Sequence, residues 1–136
     1  MNKTLEEDIT LFASRFPLYE ELRNKSFTIT GATGLLGSCM VRCLLTLNER
    51  FQLHLRIIAV VRNLEKAQLM FGRPNNILSY YVCDFVSTVS FDPPHTDYLI
   101  HFASPTASKY FVEHPVETLQ AGVNGIEKVL DFARKN

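Results

Sequence analysis

Ser26-Phe27-Thr28-Ile29-Thr30-Gly31-Ala32-Thr33-Gly34-Leu35-Leu36-Gly37 joins three patterns in twelve residues. Phe27 and Ile29 sit in a short apolar run rich in β-branched and aromatic side chains, which predicts a buried strand. Glycines then recur at every third position. Ser38-Cys39-Met40-Val41-Arg42-Cys43-Leu44-Leu45-Thr46-Leu47 follows, a helical stretch with little polar surface. Strand, glycine turn and helix in that order are the context a dinucleotide-binding fingerprint requires. Gly31 allows a sharp turn off the strand end. Gly34, with no Cβ, lets a pyrophosphate approach the backbone, and Gly37 lets the new helix pack close to the strand. The helix start then offers unpaired N–H groups and a partial positive charge to the phosphates. The plainer alternative is a glycine-rich turn without a ligand; the strand before and the apolar helix after favour binding.

At 136 residues the chain has room for one domain with a real core. Nearly half its residues are apolar and its formal net charge is zero, so charge favours neither nucleic acid nor an anionic membrane. No apolar run approaches the length of a membrane span. The start carries Lys3 and then Glu6-Glu7-Asp8, without the apolar core of a signal peptide, so a cytoplasmic protein is expected. Cys39, Cys43 and Cys83 are odd in number and lie in apolar segments, which points to buried reduced thiols.

Working outward from the turn, residues 4–16 read as an amphipathic helix. Thr4 and Glu7 make a capping-box pattern, and Leu5, Ile9, Phe12 and Phe16 form one stripe. Pro17 ends it, and Leu18 to Leu22 adds a short helical turn. On the other side, Asn48-Glu49-Arg50 reads as a polar break. Leu55 to Val61 reads as a second strand, apolar on both faces as in a parallel sheet. Asn63 suits the cap of a short helix through Leu64, Ala67 and Met70, closed by Gly72 and Pro74. Ile77 to Cys83 is a third strand and Tyr98 to Phe102 a fourth, with a loop at 86–97 stiffened by Pro93-Pro94. Residues 103–114 read as irregular or partly helical. Pro115 suits the first turn of a long last helix. Val116, Leu119, Val123, Ile126, Leu130 and Ala133 form one stripe on it, and Gly122, Gly125, Val129 and Phe132 a second. A helix apolar on two sides has two partners, expected to be the sheet, reached through the glycines, and a second subunit.

Right-handed crossovers turn this order into an α/β fold: a doubly wound parallel sheet, Rossmann-like, with strand order 3-2-1-4. It is expected as a truncated form, with an N-terminal helical leader over 1–25 and an incomplete NAD(P)-binding domain over 26–136. In such a sheet the ligand lies across the carboxyl ends of the strands. The glycine turn (Gly31, Thr33, Gly34, Leu35, Leu36, Gly37), Arg62-Asn63, Asp84-Phe85 and Phe102-Ala103-Ser104 meet there. The residue closing the second strand selects the cofactor: a carboxylate would accept from the ribose 2′-OH of NAD, and an arginine accommodates an added 2′-phosphate. Arg62 stands there with no carboxylate beside it, which leans toward NADP, although stacking on adenine would serve NAD equally.

Thr30-Gly31-Ala32-Thr33-Gly34-Leu35-Leu36-Gly37 resembles the T-G-A-T-G-[FL]-[IL]-G turn of extended short-chain dehydrogenases/reductases. That family includes nucleotide-sugar epimerases, dehydratases and decarboxylases. The resemblance continues through residue 134. It implies that Asp84-Phe85 holds the adenine, Asp84 accepting from its amine and the Phe85 backbone completing the contact. It implies that His101-Phe102-Ala103-Ser104-Pro105, similar to the family's H-x-A-[AS] segment, passes beneath the ribose and phosphates. His101 there orders the loop and takes no catalytic part. Residues 106–118 look like the stretch before the long helix in decarboxylase- and dehydratase-like members.

The family's acid–base centre is a Ser or Thr followed by Tyr-x-x-x-Lys. Four residues after Tyr19, Tyr80, Tyr81, Tyr98 and Tyr110 stand Arg23, Asp84, Phe85, Phe102 and His114, none of them lysine. Relatives also read N-x-x-G-T in the last helix, where this chain has Gly122-Val123-Asn124-Gly125-Ile126. No catalytic residue is therefore assigned. The resemblance implies an NAD(P)-binding portion of a nucleotide-sugar epimerase or dehydratase, inactive alone and dimeric through its last helix. The alternative is a non-catalytic NAD(P)-sensing module working through a protein partner. His54, His95, His101 and His114 show no metal-ligand spacing, and the basic residues form no stripe for nucleic acid.

Overall fold

The computed structural model describes residues 3–87, 90–104 and 108–136. Helix α1 (Lys3–Arg15) and a 3₁₀ turn (Tyr19–Leu22) lead into β1 (Ser26–Thr30). Then come α2 (Leu35–Phe51), β2 (Arg56–Val61), α3 (Leu64–Phe71), β3 (Leu78–Val82), β4 (Tyr98–His101), α4 (Ser108–Glu113) and α5 (Pro115–Lys135). The four strands form one parallel sheet in the order β3-β2-β1-β4. This is the doubly wound α/β arrangement expected from the sequence. Residues 88–89 of the loop and 105–107 before α4 lie outside the described residues.

Strand alternation gives the sheet two unlike faces. Phe27 and Ile29 of β1 share one face with Ile57, Ala59 and Val61 of β2 and Leu78 of β3. That face is covered by Val41, Leu44 and Leu47 of α2 and Ala67 of α3, and Ala13 of α1 joins the same buried cluster. The opposite face begins polar. Ser26, Thr28 and Thr30 of β1 are all buried. It is closed by Val129 and Phe132 of α5, which pack with Val60, Cys83, Phe85 and Phe91.

Several local expectations are corrected. Asn48-Glu49-Arg50 does not break α2, which continues to Phe51 and ends where Gln52 turns left-handed at φ 50°. Asn48 stays inside because its Oδ1 accepts the Leu55 N–H at 2.9 Å, tying the helix end to the next strand. Thr4 does not cap α1, which is already running at Lys3; Glu7 instead pairs with Lys3 at 3.8 Å. The deepest positions of α1 are Ile9 and Ala13, whereas Phe12 is 40% exposed. On α5 only one of the two glycines meets a neighbour. A Cβ on Gly125 would lie 3.4 Å from Phe85 Cβ, whereas one on Gly122 would enter open space. The other expected helix signals hold: Asn63 caps α3 through the Lys66 N–H at 2.8 Å, Gly72 closes it, and Pro115 opens α5.

Cys39 is partly exposed, and Cys43 and Cys83 are buried; all three stand outside any disulfide. Burial, followed by the neighbouring Cys39, pushes the Cys43 thiol up to about 12, so it stays protonated. Among the described residues no helix is long and apolar enough to cross a membrane.

Candidate dinucleotide site

The strands end in step, and their carboxyl ends carry every segment singled out from the sequence. Beyond β1, the Ala32 N–H donates to the Val60 carbonyl at 3.3 Å. Beyond β3, the Cys83 N–H donates to the Val61 carbonyl at 2.9 Å, and beyond β4 the Phe102 N–H donates to the Thr30 carbonyl at 3.2 Å. The glycine turn, Arg62-Asn63, Asp84-Phe85 and Phe102-Ala103 therefore emerge along one edge of the sheet.

The three glycines of the turn answer to different constraints. Gly31 has φ 65°, and a Cβ there would stand 2.7 Å from the Ala103 nitrogen. A Cβ on Gly37 would fall on the Gly31 carbonyl oxygen. Those two are glycine because the chain's own backbone leaves no room. Gly34 has an ordinary φ of −80°, and a Cβ would meet a single atom within 4 Å, the Gly31 oxygen at 3.1 Å. Packing within the chain thus asks least of Gly34, and the space beside it lies at the start of α2. Among the described residues no side chain caps that start, and the first intrahelical amide is that of Ser38, bonded to the Gly34 carbonyl at 2.9 Å. The amides of Leu35, Leu36 and Gly37 precede it at the positive end of a seventeen-residue helix. Leu35 and Leu36 are 88% and 64% exposed, an apolar rim on the same turn. Helix-start amides without a side-chain cap among the described residues, a glycine with no side chain between them and solvent, and an apolar rim together fit a dinucleotide's pyrophosphate and ribose.

Around this turn the other residues stand as follows. Arg62 is exposed at the end of β2. Asn63 commits its side-chain oxygen to the α3 cap. Asp84 is half-buried, and its Oδ1 accepts the Val86 N–H at 3.1 Å. The Phe85 ring is buried, edge-on to His101 at 5.5 Å and tilted against Phe91 at 5.3 Å, and its carbonyl accepts from Lys128 Nζ at 3.3 Å. Phe102 and Ala103 are half-buried under the turn, and Ser104 is exposed.

Beneath the turn lies a small relay. The Thr30 Oγ1 accepts the Ala103 N–H at 3.1 Å and lies 2.7 Å from His101 Nδ1. The hydroxyl has one proton to give and a second lone pair to offer, so the direction of its bond to Nδ1 follows the His101 tautomer. Burial lowers the His101 pKa, which agrees with a neutral ring. His101 thus orders the strand-end loop. Thr30 was not among the residues selected from the sequence. Its signal is the Ser26, Thr28, Thr30 alternation, which places a hydroxyl at the strand end.

A parallel 3-2-1-4 sheet with a G-x-x-G-x-x-G turn at the carboxyl end of its first strand defines a Rossmann-like nucleotide-binding protein. Residues 27–136 match the model of the NAD dependent epimerase/dehydratase family, and the chain belongs to that family. NAD(P) is the cofactor class this membership implies. No curated protein matches the chain as a relative.

Proposed function

We propose that this chain is the dinucleotide-binding portion of an NAD(P)-dependent epimerase or dehydratase of the extended short-chain dehydrogenase/reductase type, cytoplasmic and acting on a nucleotide-activated sugar. The observation that carries the reading is the glycine turn. Among the described residues no side chain caps its helix-start amides, and of its three glycines Gly34 is the one whose missing Cβ is least crowded, at 3.1 Å from the Gly31 oxygen. When bound, NAD(P) would supply hydride transfer to and from a sugar carbon. The chain's own residues would bind and orient it. Gly31, Thr33, Gly34, Leu35, Leu36 and Gly37 would take the pyrophosphate and adjoining ribose. Asp84 and Phe85 would hold the adenine, and Phe102, Ala103 and Ser104 would line the path beneath. Arg62, an exposed cation at the end of β2 with Asn63 beside it, favours NADP over NAD by charge. None of the five tyrosines has a lysine four residues on, so the 136 residues alone are expected to turn over no sugar nucleotide. Partners in this reading are the nucleotide sugar and a second copy through α5, with neither nucleic acid nor membrane.

The test is calorimetric titration of NADP and NAD into the chain. Binding of either, tighter for NADP and weakened by Arg62→Ala, supports the reading; binding of neither refutes it. A second reading, a non-catalytic NAD(P)-sensing module, is favoured by Gly122, which stands where family members place an asparagine. It predicts that nucleotide changes the affinity of a captured protein partner and that no sugar nucleotide binds.

A further inference from the structure

We infer that Lys128 of α5 is a positioning residue for the adenine side of the dinucleotide site, acting through one peptide unit. The inference rests on the reading of Asp84 given above. The unit is the one joining Phe85 to Val86. Its carbonyl accepts from Lys128 Nζ at 3.3 Å, and its N–H donates to Asp84 Oδ1 at 3.1 Å. A peptide unit is planar, so holding the oxygen at one end sets the direction of the N–H at the other. That N–H in turn holds one oxygen of the Asp84 carboxylate. The chain of constraint therefore runs from an α5 ammonium, through a rigid plane, to the carboxyl group assigned to the adenine amine.

The neighbouring geometry keeps the arrangement from drifting. The Phe85 side chain is buried, braced by Phe91 and His101 and lying against α5 at Gly125. Phe91 packs edge-on to Phe132 of the same helix at 5.4 Å. The ring is thus fixed by packing, while the following peptide plane is held by the turn bond from the Ser87 N–H to the Asp84 carbonyl at 3.2 Å and, at its own oxygen, by Lys128. Methionine at 128 would keep an unbranched apolar stem at this half-buried position but lose the donor. Arginine would keep the donor and the charge.

The experiment uses the full chain and 5′-AMP as the probe, with Lys128→Met, Lys128→Arg and Asp84→Ala. Two readouts are taken: the amide ¹⁵N–¹H resonance of Val86 without ligand, and the affinity for 5′-AMP. The expected result is that K128M shifts the Val86 resonance and weakens 5′-AMP roughly three- to tenfold, with Tm within about 2 °C of the parent. K128R restores both, and K128M has no further effect in the D84A background. Unchanged 5′-AMP affinity in K128M, failure of K128R to rescue, or additive effects of D84A and K128M would each overturn the inference while leaving dinucleotide binding intact. If the parent chain binds no 5′-AMP, NAD or NADP, the site itself is misassigned and the inference falls with it, even where the Val86 resonance moves.

Discussion

Gly31 and Gly34 stand three residues apart and should respond differently to a side chain. Gly31 is left-handed, and its missing Cβ is replaced by the Ala103 backbone at 2.7 Å. Gly31→Ala should cost about 2 kcal/mol or more, from the left-handed conformation and the overlap together, read as a lower midpoint of urea unfolding. Gly34→Val should lower that midpoint less than Gly31→Ala, through the 3.1 Å approach to the Gly31 oxygen and the poorer helix cap, yet weaken NADP by roughly tenfold, about 1.4 kcal/mol, because the added methyls enter the space assigned to phosphate. Equal NADP affinity in the parent and G34V would remove the phosphate from this turn. Two titrating residues carry predictions of opposite cause. Burial lowers the His101 pKa, so the unfolded chain takes up the proton more readily than the folded one. The contribution is complete above the ordinary value near 6.5 and is lost as pH falls through the lower folded value. His101→Asn should flatten the decline of Tm on the acid side. Asp97 is held down to about 2, first by the Ser26 hydroxyl at 2.6 Å, then by the Ser26 N–H at 2.8 Å, with Lys25 adding less. Its contribution is present above 3.8 and lost as pH falls toward about 2. Asp97→Asn should therefore be less stable than the parent at neutral pH, with the gap closing across that acid window.

α5 shows what an element can and cannot disclose before its neighbours are known. Its two stripes are visible as spacing, yet spacing alone does not say which one meets the sheet. Val129 and Phe132 are buried, whereas Val116, Leu119, Val123 and Leu130 are each at least 60% exposed. Phe132→Ala should cost about 3 kcal/mol or more by opening a cavity among Phe85, Phe91 and Val129. Leu119→Ala should stay within about 0.5 kcal/mol, both read by thermal unfolding. The same logic separates what was legible elsewhere. The β-α-β order, the strand order and the glycine turn are written in local periodicity and in residues with restricted backbone roles, so they could be read directly. The end of α2 could not, because Asn48 is polar by type and is kept inside by the backbone of Leu55. The Thr30–His101–Ala103 relay joins residues more than seventy positions apart. It exists only once β1 and β4 pair in register, and no local pattern encodes that register. Lys128 was overlooked for the same reason: its partner is a carbonyl forty-three residues away.

At the scale of the molecule, β4 has a strand on one side only among the described residues, and the outer stripe of α5 lies in solvent. Val116, Leu119, Val123, Ile126 and Leu130 alternate at spacings of three and four, the seam of a helix that packs lengthwise against another helix. A row of this kind left in water favours association, and the proposed arrangement is a two-fold pair of α5 helices. Sedimentation equilibrium of the chain should give a dimer. Leu119→Glu with Val123→Lys should give a monomer, since both charges would be desolvated at the seam. The pair should leave Phe132 and Phe85 in place, because the inner stripe faces the opposite way. The monomer should then keep parental affinity for NADP. A chain that is already monomeric, or one that stays dimeric after both substitutions, would move the contact off this helix. A monomeric variant that loses NADP as well would mean that the outer stripe and the dinucleotide turn are coupled through α5, with Lys128 the first residue to examine for that link.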